Sequence, residues 1–175
     1  SQIKGLEKLP DLKSLSLYYN NIQNLSGLEQ FTKLESLTIS FNQLTEIKGL
    51  ESLRYLKKLD LKHNKITEIS GLDKLTNLEY LNLPHNEIGE IKGLSKLKNL
   101  KQLVLRFNKI SKIKGLDDLT NLETLDLAHN QISTIENLEN LQNLKELYLS
   151  GNNISNLEIL KNFKTLQYSD LFAFF

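Results

Sequence analysis

Three histidines, His63, His85 and His129, stand at multiples of 22 residues along the chain. Imidazole binds metals and changes charge near neutral pH, so His63 and His85, one period apart, could share a metal ion with Asp60 nearby. A protein zinc site, however, takes at least three protein ligands, and the same slot in other units holds Tyr19, Phe41 and Phe107. A slot that accepts Tyr, Phe or His selects a planar ring. The side chains are therefore expected to stack along an edge, with no metal and no cofactor assigned. Two close imidazoles repel when both are protonated, which predicts a mild pH response below about 6.5.

Other chemistries lack their residues. There is no cysteine, so disulfide scaffolds, Cys-ligated zinc and thiolate nucleophiles are excluded. The sequence contains no Gly-rich phosphate loop, no H-E-x-x-H and no G-x-S-x-G. Carboxylate pairs such as Asp117–Asp118 fall on the expected outer, solvated side, and no enzymatic activity is expected. Lys and Arg number 22 against 21 Asp and Glu, for a net charge of +1. Lys48, Lys92 and Lys114 alternate with Glu46, Glu68 and Glu90, so no basic stripe exists for nucleic acid. No stretch approaches the roughly 18 to 20 apolar residues of a bilayer span, and no membrane partner is expected.

The elements that position these residues follow from one repeat. Asn20, Asn42, Asn64, Asn86, Asn108, Asn130 and Asn152 recur every 22 residues without a slip. Each stands in a frame such as Leu78, Leu81, Leu83, Asn86, Ile88, Ile91, Gly93, Leu94 and Leu97. Leu81-x-Leu83 alternates with period two and reads as a short strand, Leu inward and Tyr80, Asn82 and Pro84 outward. Such a unit is too short to bury its own leucines, so the units must stack, with parallel strands forming one curved sheet. The Asn amide, carrying both donors and an acceptor, is expected to satisfy turn backbone in its own and adjacent units. Gly5, Gly27, Gly49, Gly71, Gly93 and Gly115 imply a positive φ or a close backbone approach. Asn137 stands in for Gly in the next unit, and Ile159 after it, where the last turn must be built differently.

These residues resemble the leucine-rich repeat family over roughly residues 3 to 166. The segment Ile66, Ile69, Gly71, Leu72 is similar to the 22-residue subclass of the regulatory subunit of protein phosphatase 1. Leu75-Thr76-Asn77-Leu78 is similar to bacterial internalins, which usually carry Pro where this chain has Gly. The resemblance implies an α/β solenoid: a right-handed horseshoe with a concave parallel β-sheet and short 3₁₀ or helical turns on the convex side. It divides the chain, as a single domain, into a partial first repeat (1–11), seven 22-residue repeats (12–165) and a degenerate last repeat or cap (166–175). It also implies a non-enzymatic protein-interaction scaffold working through the concave face. Phosphatase-binding surfaces of that subclass are acidic and aromatic and include Trp, which is absent here.

Side-chain alternation assigns the concave face. It runs from neutral and aromatic, through basic, to acidic. Aromatic and Arg side chains are the usual anchors of interfaces, and the candidate partner-binding residues are Tyr18, Tyr19, Phe41, Lys58, Lys62, Tyr80, Arg106, Asp126 and Tyr148. The expected role is an adaptor or regulatory scaffold, cytoplasmic rather than secreted. The alternatives are a secreted or surface-displayed bacterial recognition protein and a structural spacer of a larger protein. Near the end, Ser169 stands where Leu belongs and Phe174 where Asn belongs. Phe172, Phe174 and Phe175 are read either as a cap over the last unit or as a self-association surface.

Overall fold

The computed structural model describes Ile3, Leu9 and residues 11–170. Eight three-residue strands follow one another: β1 Ser14–Ser16, β2 Ser36–Thr38, β3 Lys58–Asp60, β4 Tyr80–Asn82, β5 Gln102–Val104, β6 Thr124–Asp126, β7 Glu146–Tyr148 and β8 Tyr168–Asp170. They form one parallel sheet in sequence order. Register is one full repeat throughout, Leu37 facing Leu59 and Leu59 facing Leu81. The chain is thus a parallel solenoid of about seven turns with almost no helix. The strand predicted in each unit is present, and the degenerate last repeat adds β8. Its backbone pairs with β7 although Ser169 replaces the inward Leu.

The repeat frame is the core. In the fourth full unit Leu78, Leu81, Leu83, Ile88, Ile91, Leu94 and Leu97 are all buried, as is Leu100 at the start of the fifth. A run of apolar residues at spacing three carries the chain back along the convex side. There the N–H of Leu97 donates to Leu94 O at 2.9 Å and that of Leu100 to Leu97 O at 3.0 Å. Each link is a single tight turn placing one leucine inward, and the turns do not merge into a helix. Among the described residues, one 3₁₀ helix forms on that side, Glu158–Asn162.

That helix falls where Ile159 replaces the recurrent Gly. At the regular position Gly93 has φ +69°, and a Cβ there would lie 2.6 Å from Ile69 O. Backbone conformation and close approach both favour glycine there. Asn137 adopts the same left-handed backbone at φ +58° and donates from Nδ2 to Ile113 O at 2.7 Å. A β-branched residue does not hold that conformation, and the last turn takes the 3₁₀ form instead.

The asparagine column works as the hydrogen-bond accounting predicts. Asn86 Oδ1 accepts from Ile66 N–H at 3.0 Å, while its Nδ2 donates to Leu61 O at 3.1 Å, Leu83 O at 3.0 Å and Pro84 O at 3.3 Å. Asn42, Asn64, Asn108, Asn130 and Asn152 repeat the backbone acceptor contact one unit back. A second column that the sequence reading passed over lies on the convex side. Asn77, Asn99, Asn121 and Asn143 each donate to a carbonyl of the preceding unit. Ahead of the strands, Lys13, Glu35, Lys57, Glu79, Lys101, Glu123 and Lys145 alternate in sign. Lys57–Glu35 (2.9 Å), Lys101–Glu79 (2.8 Å) and Lys145–Glu123 (2.6 Å) pair across the units. These exposed pairs each contribute little to stability, but they offset most of the charge on one flank of the sheet, where four lysines meet three glutamates.

Candidate interaction face

The outward residues of the eight strands and the rim beyond them form one continuous surface. Its floor is rigid, because the central leucines of β2 to β7 are fully buried beneath it. Several residues at outward positions of the strands and rim are covered rather than presented. Ser40, Asn82, Pro84 and Ala128 are buried, Asn82 while donating from Nδ2 to Asp60 Oδ1 at 2.9 Å. With strands only about 4.8 Å apart, longer neighbours close over small ones.

Along the rim, the ring slot forms a column. Phe41 and His63 stack at 4.1 Å, His63 and His85 at 4.0 Å, His85 and Phe107 at 4.3 Å, and Phe107 and His129 at 4.2 Å between centroids. Every member has positive φ, from +51° at His63 to +57° at Tyr19 and Phe41. The sequence showed the ring preference but not this backbone, since bulky rings are unusual in the left-handed region. The column ends at Gly151, where a Cβ would run into the His129 ring. Partial burial lowers the pKa of His63, aided by Lys62. Burial also lowers that of His85, with further contributions from His63, Arg106, Lys62 and His129. Among the described residues no group of three or more His, Asp or Glu is placed to hold a metal ion.

The nine candidate binding residues fall into three groups. Tyr18, Tyr19 and Phe41 cluster at the first end, with ring centroids 5.2 to 5.9 Å apart, and Lys62 Nζ sits 5.4 Å over the Phe41 ring. Tyr18 and Tyr19 are 53% and 74% exposed, so this end presents aromatic rings to solvent. In the middle, Lys58 is in register with Tyr80. Burial raises the Tyr80 pKa, as does Asp60, while Arg106 opposes them. Arg106 Nε reaches Asp126 Oδ2 at 3.9 Å, where basic gives way to acidic. Asp126 is largely enclosed, its side chain 13% exposed, and its Oδ1 accepts from Ala128 N–H at 3.0 Å. Desolvation pushes its pKa up, only partly offset by the Ala128 bond and Arg106. It shapes the local charge more than it offers a contact. At the far end Tyr148 packs on Tyr168 at 5.3 Å and donates to Glu146 Oε2 at 3.4 Å.

Tyr168 and Asp170 extend this far end beyond what the sequence reading assigned. The signal was the 22-residue register, which places Tyr168 after Glu146 and Asp170 after Tyr148, but the irregular inward Ser169 obscured it. Phe172, Phe174 and Phe175 lie outside the described residues.

A family model for leucine-rich repeats in two copies matches residues 10–53, 32–74, 56–86, 76–118 and 120–162. The chain belongs to the leucine-rich repeat family. Among solved structures, it is similar to an internalin (inlF) from Listeria monocytogenes, at 35% identity and TM-score 0.86, covering 95% of this chain and 49% of that one. A leucine-rich repeat protein of Leptospira interrogans matches at 34% identity and TM-score 0.85, over 96% of this chain and 45% of the other. The structure of a TLR13–ssRNA13 complex matches at 31% identity and TM-score 0.84, over 95% of this chain and 26% of the other. The chain therefore spans about half the length of the first two proteins, or less. No curated protein sequence matches it. Of the two resemblances read from the repeat, the internalin-like one is supported, and the phosphatase-regulatory subclass is not shown. Leucine-rich repeat proteins are generally interaction modules without catalytic activity, and the fold is typical of protein-binding scaffolds.

Proposed function

We propose that this chain is a recognition module that binds another protein through the concave face of its sheet and catalyses nothing. The observation that carries the reading is the central patch. Lys58, Tyr80 and Arg106 project from adjoining repeats of a sheet whose inward leucines are fully buried beneath it. Aromatic and Arg anchors held on a rigid floor lose little conformational freedom on binding. Similarity to a Listeria internalin favours a secreted or surface-displayed bacterial recognition protein over the cytoplasmic adaptor that the recurrent glycines suggested. Fractionation of cells carrying the native gene separates those two.

The test of the face is the variant Tyr80→Ala/Arg106→Ala. Immobilised wild type should retain a partner that the variant loses. The circular dichroism melt should shift by no more than about 1 kcal/mol in stability, the usual range for substitutions outside the core. A variant that captures the partner normally sinks the concave-face reading.

A further inference from the structure

The charges left over on the concave face are segregated. The flanking column of alternating Lys and Glu largely pairs with itself, its four lysines meeting three glutamates. Inside it, Lys58 and Lys62 have no carboxylate within ion-pair distance among the described residues, and Lys62 leans on the Phe41 ring. Asp60, between them, has its Oδ1 engaged by Ser40 Oγ at 2.7 Å, Lys62 N–H at 3.1 Å and Asn82 Nδ2 at 2.9 Å, and its charge offsets one of the two lysines. Arg106 completes the basic zone. Beyond the Arg106–Asp126 contact the sign reverses. Among the described residues Glu146 accepts only from hydroxyls, Thr124 Oγ1 at 3.1 Å and Tyr148 Oη at 3.4 Å. From Lys58 on β3 to Glu146 on β7 is four strand spacings, about 19 Å.

We infer that the partner docks a single segment bearing carboxylates at one end and Arg or Lys at the other, about 19 Å apart, acidic end over β3 to β5 and basic end over β6 and β7. This inference rests on the concave-face reading above and specifies its occupant. A segment of one sign throughout meets repulsion at one end, and charge mismatch of that kind is how interfaces reject wrong partners. Tyr80 and Tyr148, one in each zone, supply apolar contact between the charged ends.

The experiment is selection of a phage-displayed library of random peptides of roughly 16 residues, long enough to span about 19 Å as helix or strand. It is run against wild type, Lys58→Glu/Lys62→Glu, Glu146→Lys and Tyr80→Ala/Arg106→Ala. On wild type, peptides with acids gathered in one half and bases in the other should be enriched at least about tenfold over mixed sequences of equal composition. Their binding should fall at least about tenfold in high salt. Lys58→Glu/Lys62→Glu should select peptides without the acidic half, and Glu146→Lys peptides without the basic half. Failure to enrich any peptide, or enrichment without charge segregation, overturns the inference. If binding survives Tyr80→Ala/Arg106→Ala, the concave-face reading falls as well. If it is lost there while both charge variants select the same peptides as wild type, the polarity alone is refuted.

Discussion

Replacing Asn86 by Ala isolates the asparagine column. Four hydrogen bonds disappear, but their consequences differ. Leu61 O keeps Asn64 Nδ2 at 3.0 Å, Leu83 O keeps Asn108 Nδ2 at 3.0 Å, and Pro84 O keeps His63 N–H at 2.9 Å. The N–H of buried Ile66 loses its acceptor outright. An orphaned buried donor costs about 1–3 kcal/mol, and the three surplus bonds add a few tenths each, so Asn86→Ala should destabilise by about 2–3 kcal/mol in urea unfolding. Asn20→Ala is the control. Asn20 is exposed and donates only to Leu17 O and Tyr18 O, groups that water can replace, so its loss should stay within about 0.5 kcal/mol. Asn86→Asp sharpens the test. A carboxylate keeps the acceptor for Ile66 but points charge at three carbonyl oxygens, and an unpaired buried ion costs several kcal/mol. At pH 7 the Asp variant should be less stable than the Ala variant. Its folded-state pKa is raised above the unfolded value, so the folded state binds more protons and the extra penalty shrinks as pH falls through that raised pKa. Equal costs for Asn86→Ala and Asn20→Ala, or an Asp variant as stable as Ala at pH 7, would refute the reasoning.

Other expectations are smaller in scope. Leu81→Ala, fully buried in β4, should cost roughly 2–5 kcal/mol by chemical denaturation. Gly93→Ala meets both a left-handed φ and a carbonyl at 2.6 Å and should lose at least about 1–2 kcal/mol, whereas Gly89→Ala, with nothing within 4 Å, should be neutral or slightly stabilising; similar melting points for the two would count against the turn argument. Because the folded state lowers the pKa of His63 and His85, the unfolded chain binds protons first. Stability should thus be complete above about 6.5 and decline as pH falls through the window below it. The variant His63→Phe/His85→Phe, which keeps flat rings in the column, should show a shallower decline between about pH 7 and 5, and an unchanged decline would assign the effect elsewhere.

Repetition made the fold legible. One Leu-x-Leu spacing gave the strands and the parallel stack, and the recurrent Asn gave its own hydrogen bonds, because each feature depends on a short motif seen seven times. Ile159 even marked where the turn would change. The interaction face was legible in composition but less so in exposure. Asn82 and Pro84 alternate outward as expected yet are buried, because cover depends on the neighbours' lengths across strands rather than on a residue's own position. Asp126 looked like an available acid, and only the packing shows its enclosure and its bond to the Ala128 amide. The left-handed backbone of the ring column was hidden for another reason: glycine announces such a conformation, and Phe or His does not. Tyr168 was missed because one polar residue, Ser169, obscured a register that the backbone nevertheless keeps.

The asparagine contacts also fix how such a chain can change length. Asn86 reaches Ile66 N–H and Leu61 O together, so adding or deleting a single residue between them shifts one contact away from the other. Excising a whole unit moves every donor and acceptor by the same step and returns the same geometry. Changes of length that keep these bonds are therefore quantised, and an engineered version with one repeat removed from its middle should close up on the same bonds while one shortened by a single residue should not.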